Sequence, residues 1–173
     1  MTKTIAIVDE VLDLYETEID VSQDRRKALN QLMNQRLASA IDLQMQLKQA
    51  HWNVKGPSFI SLHKLFDEAN ELVSQYVDTI AERIVQFGGI AHGTIRLASL
   101  QTRLSEYPYS IGDGMAHVEA VARALSSFGS EVRTMIIEAT ELEEAGTADI
   151  FTEISRGIDK MLWFVEAHSQ SSV

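Results

Sequence analysis

Four long stretches of this chain carry apolar residues at every third or fourth position, and almost nothing interrupts them. The first holds Leu29, Met33, Leu37, Ala40 and Leu47, widened by Leu32, Ile41 and Leu43. The second holds Leu62, Phe66, Ala69, Val73, Val77, Ile80 and Ile84. Val118, Val121, Leu125, Phe128, Val132, Met135 and Ile136 mark the third, and Ile150, Ile154, Ile158, Met161, Leu162 and Val165 the fourth. That spacing puts each set on one face of an α-helix. Helix-breaking residues fall between the sets. Gly56-Pro57 ends the first, Gly88-Gly89 the second, Gly112-Asp113-Gly114 opens the third, and Gly146-Thr147 divides the third from the fourth. The only two prolines, Pro57 and Pro108, both lie in breaks. The pattern predicts helices over about 23–52, 58–87, 114–144 and 148–168, with Ser22 as the first N-cap.

The second and third helices are separated by 88–111, too long for a simple hairpin. A short helix is expected there, about 94–104. Four long helices with one long crossover between the second and third make an all-α fold that fits a ferritin-like four-helix bundle. The length of 173 residues suits one domain. We divide it into an arm (1–21), the bundle (22–168) and a short tail (169–173). Ile5, Val8, Val11, Leu12 and Tyr15 predict a short helix in the arm. Its acids, Asp9, Glu10, Asp13, Glu16, Glu18 and Asp20, outnumber Lys3. Arg25, Arg26 and Lys27 are expected on a solvated face.

The chain has no cysteine, which excludes disulfides and thiolate metal sites. A metal would have to be held by His, Asp and Glu, a set that suits iron, manganese or zinc. The net charge of −10 argues against a surface built to neutralise phosphates. There is no signal-peptide pattern and no long uncharged apolar run. The expected location is the cytoplasm.

The polar residues beside the second apolar stripe are the sharper signal. With about 100° per residue and Asp67 at zero, His63, Glu71, Asp78 and Glu82 fall within about 60° of it. This stripe borders the apolar face, and His51 lies just before the preceding helix break. Yet Asp67 and Asp78 are roughly 16 Å apart along the axis, and His63 and Glu82 roughly 28 Å. Metal–ligand bonds are only about 2 Å long. One chain therefore cannot close a site with both ends of the helix. An antiparallel two-fold partner could set His63 and Asp67 against Asp78 and Glu82 of the partner subunit, making two identical sites, with the axis near Leu72 and Val73.

His51-Trp52-Asn53-Val54-Lys55-Gly56, followed by Leu62-His63 and Asp67, resembles the first signature of the Dps family of mini-ferritins. Val77-Asp78-Thr79-Ile80-Ala81-Glu82-Arg83, followed by Phe87-Gly88 and Ala91, resembles the second. The likeness extends to Trp163-Phe164-Val165-Glu166. It implies a ferroxidase centre with His51, His63 and Asp67 from one subunit and Asp78 and Glu82 from the other. It also implies a hollow dodecamer that oxidises Fe(II), preferably with hydrogen peroxide, and stores the ferric mineral, protecting against oxidative stress. Zinc could occupy the same ligands. Trp52 reads either as a local electron donor or as interface packing. Ordinary ferritins use Glu-x-x-His motifs inside one bundle, and none of the five histidines here has Glu three residues earlier.

His92, His117 and His168 read as ordinary surface or core residues, with an auxiliary metal as the alternative for His117 and His168. Glu138, Glu141, Glu143, Glu144 and Asp149 make an acidic corner between the last two helices. Around a three-fold axis it would form a cation-attracting ring. Glu141 and Asp149 resemble the family's pore acids, with Ala145 where an acid often stands and Glu144 beside it as the substitute. The arm and tail lack the basic residues of DNA-binding members. A dodecamer of this chain would carry about −120, so direct DNA binding is expected to be weak or absent. Two other readings remain open from sequence: a DNA-compacting protein with secondary ferroxidase activity, and a zinc-binding oligomer without redox turnover.

Overall fold

A computed structural model describes residues 14–170. Those residues form five helices: α1 (Gln23–Asn53), α2 (Phe59–Gln86), α3 (Ile95–Gln101), α4 (Gly114–Glu141) and α5 (Ala145–Glu166). Among them the only extended pairing is an isolated bridge between Lys55 and Asp113. The fold is therefore the all-α four-helix bundle with α3 inside the crossover. The expected arm helix falls outside the described residues apart from Tyr15.

The apolar stripes pack as their spacing dictates. α1 packs chiefly on α2 and α4 on α5, while α1 also meets α4 and α2 meets α5. α2 and α4 barely touch, because the crossover carries the chain across the bundle. Leu29, Met33, Leu37, Leu43, Phe66, Val73, Ile80, Phe128, Val132 and Ile158 are all fully buried. Burying a side chain of this size contributes roughly 1.5–3 kcal/mol. In α5 the buried position is Phe151, with Ile150 only partly covered.

Two local expectations are corrected, and a third holds in position only. Ser22 stands at the N-cap of α1, but its side chain accepts no capping hydrogen bond. The break between α4 and α5 is at 142–144 rather than Gly146-Thr147. Glu143 turns the chain with φ 52°, and the Glu144 carboxylate caps α5 by accepting from the backbone N–H of Gly146 (3.2 Å) and Thr147 (2.6 Å). A carboxylate at a helix N-terminus meets otherwise unpaired N–H groups and a favourable dipole.

The basic cluster is also not a simple solvated face. Arg25 donates to the carbonyls of Leu142 and Glu143, both at 2.7 Å, tying the start of α1 to the α4–α5 corner. Arg26 donates to the carbonyls of Val21 (3.1 Å), Tyr15 (3.3 Å) and Phe87 (3.2 Å). The Tyr15 N–H donates to Gly88 at 2.9 Å. Gly88 has φ 76°, and a Cβ there would lie 2.3 Å from the Tyr15 carbonyl oxygen. Glycine is needed there both for its conformation and for this close approach.

One charge lies deep in the bundle. Arg36 is 1% exposed and donates to Glu138 at 2.5 Å. Burial pulls its pKa down, while the Glu138 charge opposes that shift. Nearby, burial pushes the Glu131 carboxyl up against the opposing hydrogen bond from Ser39.

Candidate metal centre

The tight turn through Gly56 (φ 105°) folds the last turn of α1 beside the first turn of α2. This brings His51 and His63 face to face, with ring centroids 3.7 Å apart and planes 21° from parallel. Each ring makes its hydrogen bond to the other residue's backbone. His51 Nδ1 lies 2.7 Å from the His63 carbonyl, and His63 Nδ1 lies 2.8 Å from the His51 carbonyl. A carbonyl oxygen can only accept, so each Nδ1 must carry the proton. In the neutral rings both Nε2 lone pairs are then free. Metal-ligating histidines are commonly fixed in this way by a backbone carbonyl. Phe59 leans over His63 with its ring centroid 5.1 Å away.

Asp67 lies one helical turn beyond His63. Its Oδ1 accepts from Lys48 Nζ at 2.7 Å and sits 3.9 Å from His51 Nδ1. The Lys48 hydrogen bond, the largest influence, holds the Asp67 carboxyl below its usual range against desolvation, and electrostatic interaction with His51, Lys48 and His63 lowers it further. Lys48 also lies over the Trp52 ring, 5.7 Å from its centroid. The role of Lys48 was missed from the sequence. Its signal is modest: it stands three residues before His51, on the same side of α1.

Asp78 and Glu82 sit on the far half of α2 and are exposed. Among the described residues, no group of three or more His, Asp or Glu gathers closely enough to hold a metal ion. The chain thus brings His51, His63 and Asp67 into one neighbourhood and leaves Asp78 and Glu82 apart from it. Glu82 edges a recess lined by Ala81, Val85, Gln86 and Ala91. Large apolar side chains stand exposed at both ends of this region: Trp52 at 64%, Ile60 at 58% and Val85 at 58%.

The acidic corner divides into two kinds of carboxylate. Glu141 and Asp149 are exposed. Glu144, besides capping α5, accepts from Arg83 at 3.0 Å and is mostly covered. Burial is the largest single influence and pushes its pKa up, but the hydrogen bonds from Thr147 and Arg83 and the Arg83 charge together outweigh it and hold the carboxyl low. The remaining histidines are scattered. The His92 N–H donates to Asn34 at 2.8 Å. His117 is buried against Tyr107, and the exposed His168 hydrogen-bonds the Phe164 carbonyl at 2.9 Å.

Known proteins agree with this architecture. A ferritin-like domain family matches residues 28–171. The DNA protection during starvation protein of Agrobacterium fabrum is 40% identical over 156 residues, covering 90% of this chain and 96% of that one. Among solved structures, DpsA14 from Streptomyces coelicolor superposes with a TM-score of 0.85 at 31% identity, covering 93% of this chain and 96% of that one. A Dps protein from Bacillus brevis gives a TM-score of 0.81 at 27% identity, covering 87% of this chain and all of that one. No helix among the described residues is long and apolar enough to cross a membrane. With the bundle, its crossover and the two signature segments all in place, this chain belongs to the Dps family of ferritin-like proteins.

Proposed function

We propose that the protein oxidises Fe(II) at centres shared between two-fold-related subunits and stores the ferric product inside a dodecameric cage. His51, His63 and Asp67 hold the iron from one side, with Asp78 and Glu82 of the partner subunit closing the other. The observation that carries this reading is the reciprocal His51–His63 arrangement, which leaves two Nε2 lone pairs free. Neutral imidazoles and carboxylates suit Fe(II), and a site with open positions leaves room for an oxidant. Hydrogen peroxide is the oxidant we favour, since it can accept two electrons from two ferrous ions. Lys48 must release Asp67 for its carboxylate to bind iron fully. Glu141 and Asp149 are the proposed pore acids, while Glu144 sets the corner that presents them.

The test is anaerobic loading with Fe(II) followed by peroxide. His63→Ala or Asp67→Ala should slow iron oxidation by at least about 10–100-fold, the loss already seen when only a supporting residue of a metal site is removed. Equal rates in variants and parent would refute the assigned centre. The acidic balance further favours weak or absent direct DNA binding at neutral pH. A gel shift without divalent cations checks this, and tight, salt-sensitive binding would favour a DNA-compacting role instead.

A further inference from the structure

Tyr107 and His117 form a second paired site, outside the proposed iron ligands. Tyr107 lies in the crossover at 8% exposure and His117 in the first turn of α4 at 1%. The Tyr107 hydroxyl lies 2.6 Å from His117 Nδ1, and the two rings are 22° from parallel with centroids 6.0 Å apart. The buried His117 Nε2 has no hydrogen-bond partner, and the backbone of Ile111 and Asn53 lies close enough to the ring to favour its protonated form against burial. Burial is the leading influence on both groups. It pushes the Tyr107 phenol well above its usual range and pulls the His117 imidazole down. Both are therefore neutral near pH 7, the phenol holding its proton and Nδ1 accepting the hydrogen bond.

The start of α4, which carries His117, packs on the turn behind the proposed iron site. Asn53 directly follows Trp52 and is two residues from His51. Lys55 bridges Asp113, and a Cβ on Gly114 would lie 3.1 Å from both the Lys55 carbonyl and the Leu62 side chain. The start of α4 is thus pressed against the turn that carries both site histidines and Trp52. A phenol becomes strongly acidic when it loses an electron. A neutral imidazole already within hydrogen-bond reach can take the proton with no rearrangement.

We infer that Tyr107 is a redox-active side chain that donates an electron to oxidising equivalents generated at the His51–His63 site, with His117 Nδ1 receiving its proton. This rests on the ferroxidase reading above. When peroxide meets a centre holding a single Fe(II), the iron supplies one electron and Tyr107 the second. The O–O bond breaks, two solvent protons complete two waters, and iron becomes Fe(III). The phenol O–H bond breaks as its proton passes to His117, leaving a neutral phenoxyl radical beside an imidazolium. A later Fe(II) returns the electron as it is oxidised, and His117 returns the proton. The pair would spare Trp52 and the ligand histidines from one-electron damage.

The test uses the assembled protein, labelled with ring-deuterated tyrosine and loaded anaerobically with less than one Fe(II) per centre. It is mixed with peroxide and freeze-quenched for electron paramagnetic resonance. A tyrosyl signal narrowed by the label is expected in the parent and absent from Tyr107→Phe, and peptide mass mapping should show more oxidised Trp52 in that variant. If Tyr107→Phe does not assemble, a nitroso spin trap added to the parent should map to Tyr107. Iron oxidation without a tyrosyl signal, a signal that survives Tyr107→Phe, or an adduct on another tyrosine would overturn the inference alone. Failure of the parent to oxidise iron would remove the ferroxidase reading and this inference together.

Discussion

Two imidazole arrangements in this molecule start from the same side chain and reach opposite states. In the His51–His63 pair each Nδ1 is tied to a backbone carbonyl, which leaves each Nε2 free beside an exposed tryptophan. In the Tyr107–His117 pair, Nδ1 accepts from a phenol and Nε2 is buried without a hydrogen-bond partner. The first arrangement offers lone pairs to something outside the chain. The second is shut inside the chain. Which nitrogen is occupied, and whether the other can be reached, decides the chemistry more than the residue type does.

The largest expected contrast is kinetic. His63→Ala removes a free Nε2 and should abolish most iron oxidation, whereas His117→Gln, measured in the same peroxide assay with two Fe(II) per centre, should not reproduce that collapse. A collapse in both would mean that the pairs are not separate functional units.

A smaller contrast lies in stability. His117→Gln disturbs the partner of the buried Tyr107 hydroxyl and should cost about 1–3 kcal/mol in denaturant unfolding. It should also change the pH response. Burial lowers the His117 pKa, so the unfolded chain binds its proton first as pH falls. The parent's contribution from neutral His117 is thus fully present above about pH 6.5 and is lost as pH drops from there toward the depressed folded value. Unfolding curves across that window should be flatter for His117→Gln. An unchanged slope would contradict the assignment of His117 as a buried neutral base.

The smallest effect concerns Lys48. Its ion pair with Asp67 is partly exposed, at 23% and 38% for the two side chains. Lys48→Met should therefore tighten divalent metal binding by only about threefold, as calorimetry with Co(II) would measure. Weaker binding would show that Lys48 organises Asp67 rather than competing for it.

The four helices were legible because their apolar positions repeat locally, so Leu29 to Leu47 and Leu62 to Ile84 needed no knowledge of their partners. The residues His51, His63 and Asp67 were legible as a group for the same reason, being placed by one turn and one helical period. What could not be read was set by distant chain. Arg36 is buried because Glu138, from another helix, meets it. Glu144 is a cap because the α4–α5 corner turns at Glu143 and Arg83 reaches it from α2. Tyr107 finds His117 only because the crossover returns over the first turn of α4. Gly146 misled because glycine marks breaks on average, and here it falls just inside α5.

The central claim is that one subunit supplies His51, His63 and Asp67 while Asp78 and Glu82 come from the other. Complementation tests it most directly. Asp67→Ala and Asp78→Ala chains are prepared separately, each expected to be inactive in peroxide-driven iron oxidation, then dissociated and reassembled as an equal mixture. Random pairing makes half the dimers mixed, each with one intact centre of two, so about a quarter of the parent's activity should return. A site built within one chain could never be completed by mixing, and a reassembled mixture no more active than either variant alone would contradict the account.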